Sequence, residues 1–259
     1  MSTKNLYYRT VFRRENVIKS FIFDLFKKIC SYPKLAIEVF TRQNFGQRYF
    51  TLSSALGMLA FLVLFPLMLH RLEALSGDYS ESGSFWGKFA TWYMYVIGYV
   101  YFAFKRWLEI QHSPSTYDFT KFTLYSGDID NRLFQINLFG KATPRLVEIV
   151  YEPGVFLAVG LLLAILGQPV GFLLVVCSII YSISYLAAYK QGDDFLLDLI
   201  DEKLMNDEFR SAFVNDLMGH ETRGVRYYMR KPTSPANRSA LESSVLENVD
   251  ENDTITYAD

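Results

Sequence analysis

The sequence predicts an all-α integral membrane protein with four transmembrane helices, N-in/C-in topology, an N-terminal interfacial amphipathic helix and a C-terminal cytoplasmic helix. Three observations predict it. The 259 residues are 51% hydrophobic and 17% aromatic but only 20% charged, which suits a membrane protein with soluble segments. Four apolar runs are spaced along the chain. Lysine and arginine alternate between the connections, as the positive-inside rule requires.

Each run can be justified in order. Residues 51–69, TLSSALGMLAFLVLFPLML, carry no charge and suffice to cross roughly 30 Å of hydrocarbon. Residues 85–104 hold one charge, Lys88, three residues in, where its long stem lets the amine snorkel to the interface. The third span, 149–166, rests on an apolar run, 153–166, that is short alone. Thr143-Pro144 offers an N-cap and a helix start ahead of it, with a kink expected at Pro153. Gly167-Gln168-Pro169 reads as a tight outer turn. Residues 170–189 form the fourth run, uncharged throughout.

The five connections and ends carry ten, one, six, no and eight lysines and arginines: residues 1–49, 70–84, 105–148, 167–169 and everything after Tyr189. The expectation is therefore a cytoplasmic basic segment (1–50), an outer loop (70–84), a cytoplasmic loop (105–148) and a cytoplasmic helical segment (190–231). A disordered acidic tail (232–259) follows. Residues 1–50 show no secretory leader with a cleavage site, so the first span is expected to serve as the insertion signal. The expected location is a bacterial inner membrane or plasma membrane.

Composition also narrows function. A pI near 6.3 weighs against global electrostatic binding of nucleic acid. Cys30 and Cys177 are too few for a disulfide framework or a closed zinc site. Low hydrophobicity, the mark of general disorder, is absent.

The soluble parts supply the candidate sites. Val17–Ile29 places apolar residues on one helical face, with Tyr32-Pro33 expected to stop the helix. Residues 1–49 carry a net charge of ten minus three, +7. Lys19, Lys27, Lys28, Arg42 and Arg48 are thus expected at an anionic membrane surface. Asp193–Met218 reads as a helix begun by two aspartates and stopped by Gly219. Its apolar residues Leu196, Ile200, Leu204, Phe209, Phe213 and Leu217 are candidates for binding a partner. Gly154, Ala158, Gly160, Ser178 and Ser182 are small residues at helical spacing, read first as helix packing and second as pore lining.

Catalytic signals are weak. Asp198 and Asp201 sit at i and i+3, a spacing common on solvated faces. His70, His112 and His220 fall in three different segments, and only His112 shares a loop with acids, Asp118, Asp128 and Asp130. No catalytic residue, cofactor or metal ligand is assigned. The primary expectation is a non-catalytic membrane subunit that anchors or recruits cytoplasmic partners of a multiprotein envelope complex. Its expected partners are membrane lipids, further copies of itself and other membrane or cytoplasmic proteins. The alternatives are an oligomeric channel and a membrane enzyme with a juxtamembrane acidic site.

Overall fold

A computed structural model describes residues 17–75, 85–114, 116–136 and 141–242; side chains at 17–24, 27–28, 72–75 and 116 are not described. Most of the described residues are helical, with one isolated antiparallel bridge, Gln43 to Asp128, and no strand among them. Five helices dominate: α1 (Val17–Thr41), α2 (Leu52–Leu75), α3 (Phe85–Gln111), α4 (Pro144–Ile165) and α5 (Pro169–Asp207). The chain divides into two compact units, one of Phe21–Tyr189 and one that takes in the residues from Lys190 onward.

Three helices, α2, α4 and α5, are long and apolar enough to span a membrane. α3 is not among them. Its 27 residues include Trp86, Trp92, Tyr93, Tyr95, Tyr99, Tyr101 and Trp107, whose polar tips lower its hydropathy.

In the first unit the helices pair in antiparallel register. On α2 and α3, Tyr99 Oη donates to Ala55 O at 3.3 Å, Trp92 Nε1 donates to Leu62 O at 2.8 Å, and the rings of His70 and Phe85 meet edge to face. On α4 and α5, Ser182 Oγ donates to Ile149 O at 2.6 Å and Ser178 Oγ to Pro153 O at 2.5 Å. Gly160 lies against the Gly171 backbone. A Cβ on Gly171 would collide with Ala164 N, so glycine there sets how closely the two helices approach. Thr91 Oγ1 donates to Gln168 Oε1 at 2.6 Å, which puts the start of α3 and the 167–169 turn at one end. Gly167 has φ +73°, a conformation that glycine adopts without strain.

Several expectations need correction. Pro33 does not stop α1: it sits inside the helix, and α1 runs on to Thr41. The second half of α1 is not a surface element. Ala36, Ile37 and Val39 are fully buried, and Phe40 packs on the rings of Tyr95, Phe102 and Phe156. Burial in the bundle supplies the hydrophobic return that outweighs the bond lost at proline. Asp193 and Asp194 do not begin a helix, because α5 is continuous from Pro169 to Asp207. It gives way to a π-turn at Arg210–Val214, ahead of Gly219. Part of the predicted irregular tail, 235–242, is helical; 243–259 lie outside the described residues. The Thr143 cap does form, accepting from Leu146 N at 3.3 Å, with Pro144 in the first turn.

The second unit has its own small core. Met205, Ala212 and Val225 are buried with Tyr227 against them, and Phe213 lies 4.9 Å from Phe209, ring to ring. Outside it, ion pairs join Asp216 to Lys231 and Arg238.

Candidate functional site: a buried charge centre

Three helices of the first unit each present polar residues one turn apart on one face, the i, i+4 neighbours of a helix surface. α1 supplies Lys34 and Glu38, with Arg42 immediately past its end and its N–H still donating to Glu38 O; α4 supplies Glu148 and Glu152; α5 supplies Tyr181, Tyr185 and Tyr189. The three ladders converge. Arg42 and Glu152 are both fully buried. The guanidinium donates through Nη2 to Glu152 Oε2 at 2.6 Å and through Nε to Oε1 at 2.9 Å, the bidentate geometry to which arginine is suited. Nη2 also lies 3.2 Å from Glu148 Oε1. A π-turn at Val147–Tyr151 contains Glu148 and ends just before Glu152, and it widens the helix where both must meet one arginine.

Neutral donors complete the centre. Tyr49 and Tyr185 both donate to Glu38 Oε1 at 2.8 Å, and Tyr189 donates to Glu148 Oε2 at 2.5 Å. Thr41 Oγ1 donates to Glu152 Oε1 at 2.6 Å. Lys34 Nζ is 3.6 Å from Glu38 and 4.0 Å above the Tyr185 ring. Two cations thus face three carboxylates, and tyrosine hydroxyls serve the excess acid. Tyr181 Oη is buried against this centre without a well-formed hydrogen bond of its own. Burial pushes the Tyr49 phenol above its ordinary range, and the Glu38 charge pushes it further. For Arg42 burial favours loss of the proton, but the bonds to Glu152 and the surrounding charge outweigh it and hold the guanidinium protonated.

The arrangement is a clamp: Arg42 and Glu152, both closed to solvent, tie the end of α1 to the start of α4. A cleft of about 720 Å³ adjoins it, lined by Asn44, Tyr125, Asp128, Asp130, Arg132 and Glu148 among others. Its acids have partners. Asp128 accepts from Asn44 Nδ2 at 2.7 Å and from Tyr125 Oη at 2.5 Å, and Asp130 caps Arg132 N at 3.0 Å. Burial tends to raise the Asp128 carboxyl, but these two bonds hold it below its ordinary value. The same bond pushes the Tyr125 phenol up to about 12, with burial adding to it. Among the described residues no group of three potential ligands is placed to hold a metal ion. His112 is exposed, bonded to Leu108 O, and does not line the cleft with the acids.

The sequence-predicted residues divide as follows. Arg42, expected at the membrane surface, is instead fully buried because Glu152 and Glu148 compensate its charge. Arg48 is exposed; the side chains of Lys19, Lys27 and Lys28 lie outside the described residues. Leu196, Ile200 and Leu217 are exposed, whereas Leu204 and Phe209 are half-buried. Phe213 is not available to a partner, being buried in the core of the second unit. Gly160, Ser178 and Ser182 form the α4–α5 contact, and the two hydroxyls are engaged with backbone carbonyls rather than facing a pore. Gly154, one turn from Ala158, faces open space. Sequence reasoning missed Glu38, Glu148 and Glu152. The available signal was Glu148 and Glu152, a turn apart, leading directly into an apolar run.

No protein-family model, curated protein or solved structure matches the chain.

Proposed function

We propose that the chain is a non-catalytic membrane subunit that recruits cytoplasmic partners, with α3 as a fourth span and both termini in the cytoplasm of a bacterial inner-membrane or plasma-membrane protein. One observation carries the recruiting role. In the 193–202 stretch of α5, Phe195, Leu196, Leu197, Leu199 and Ile200 are each 45–64% exposed, between acids that suit water rather than lipid. A contiguous apolar surface of this kind marks an interaction site. For the fourth span, Met94, Ile97, Tyr101 and Phe104 on α3 are more than half exposed, which suits contact with lipid. The shared end of the α3 start and the 167–169 turn accords with two short connections on one side, and the lysine and arginine counts assign that side as the outside.

The test is affinity capture in mild detergent, comparing the natural chain with Leu196→Ser/Ile200→Ser. The reading expects a stoichiometric companion that the double variant loses. Recovery of the chain alone, at any salt concentration, overturns it.

A further inference from the structure

We infer that the loop at 117–124 is a membrane-surface anchor that seats its aromatic side chains among the lipid headgroups at the N-terminal end of α2. The inference needs only that α2 enters the bilayer near Leu52, and so it stands apart from the recruitment reading.

The loop follows α3 and carries Tyr117, Phe119, Phe122 and Leu124, which are 89%, 99%, 69% and 48% exposed. Asp118, Thr120, Lys121 and Thr123 are interspersed with them. Such a mixture of aromatic rings and polar groups favours the interface over both water and hydrocarbon. Phe119 also has φ +56°, a left-handed conformation unfavourable for a bulky residue. In water that strain would display a ring to solvent for no return.

The backbone holds the end of the loop close to the start of α2. Arg48 N donates to Thr123 O and Gly46 N to Tyr125 O, both at 2.9 Å. A Cβ on Gly46 would overlap Thr123, so only glycine permits this approach. Arg48 is four residues before Leu52, where the apolar helix begins. Four residues reach at most about 14 Å. The turn in which Tyr49 N and Phe50 N both donate to Gly46 O shortens that distance. Leu52 and Leu56, 47% and 53% exposed, continue the apolar surface from this level along α2. The occupant that fits both this continuity and this position is lipid.

The experiment places a nitroxide on the full chain in phosphatidylcholine–phosphatidylglycerol vesicles. Cys30 and Cys177 are buried, so the label goes to an introduced thiol. Phe119→Cys and Phe122→Cys are compared with Asn131→Cys, an exposed aqueous control, and with Leu56→Cys on α2. The expected result is a ratio of oxygen to nickel-chelate collisions at 119 and 122 that rises well above that at 131 and falls below that at 56. A water-like ratio at 119 and 122 overturns the anchor. Low collision with both reagents, the sign of a protein partner, overturns it too. A water-like ratio at 56 removes the span and the anchor with it. Should either loop variant aggregate, Tyr117→Cys and Leu124→Cys give the same reading.

Discussion

Arg42 Nη2 lies 2.6 Å from Glu152 Oε2, and neither side chain has measurable exposure. The two residues are 110 positions apart. A buried pair of this kind is weak evidence of net stabilisation against an apolar replacement, but breaking it leaves an uncompensated charge. Glu152→Ala or Arg42→Ala is therefore expected to cost about 3–5 kcal/mol, read as a lower thermal midpoint in detergent. Arg42→Met/Glu152→Leu is expected to cost less than either single change. A double variant no better than the singles would show that the pair's value lies in its geometry.

The α4–α5 contact gives a paired prediction. Gly171→Ala forces a methyl group into the backbone of α4 and is expected to cost about 1–3 kcal/mol. Gly154→Ala meets open space in a helix and is expected to stabilise by about 0.4–1 kcal/mol through the unfolded state. Parallel melts of the two variants check the sign of each.

How far the fold was legible follows from these residues. The apolar runs reported α2, α4 and α5 because long uncharged stretches have few alternatives. The first helix was misread because periodicity reports an apolar face and not what covers it. Ala36, Ile37 and Val39 look the same whether they face lipid or Trp-rich and Tyr-rich α3. The charge centre was illegible for a further reason. Lys34, Glu38 and Arg42 resemble an ordinary solvated ladder until Glu148 and Glu152 are brought beside them, and nothing local encodes that meeting. The tyrosines one turn apart on α5 were visible, but only as polar residues within a span.

Asp128 provides the pH dependence. Its folded value lies below the ordinary 3.8, so the stability it contributes is present above that value and is lost as pH falls through the lower, folded one. The bridge between Gln43 and Asp128, with backbone bonds of 3.2 and 2.7 Å, is expected to loosen below about pH 4. Hydrogen exchange at these amides, corrected for intrinsic rate, should show the loss of protection. In Asp128→Asn the acid-dependent part should vanish.

The second unit separates packing from recruitment. Phe213→Ala empties a buried site and is expected to cost about 3–5 kcal/mol, seen as faster proteolysis within 205–231. Leu196→Ser changes an exposed position and should leave the same digestion pattern within about 0.5 kcal/mol of the natural chain. Equal susceptibility in the two variants would contradict the burial assigned to Phe213.

The bond between the first helix and the fourth also sets an order of manufacture. Arg42 leaves the ribosome 110 residues before Glu152, an interval on the order of ten seconds at ordinary elongation rates. For that time the arginine needs water, a lipid phosphate or a chaperone as a stand-in counterion. The Arg42 end of this segment therefore settles late, and an arrest of translation before Glu152 would leave the arginine without that partner even with α1 already packed on α3.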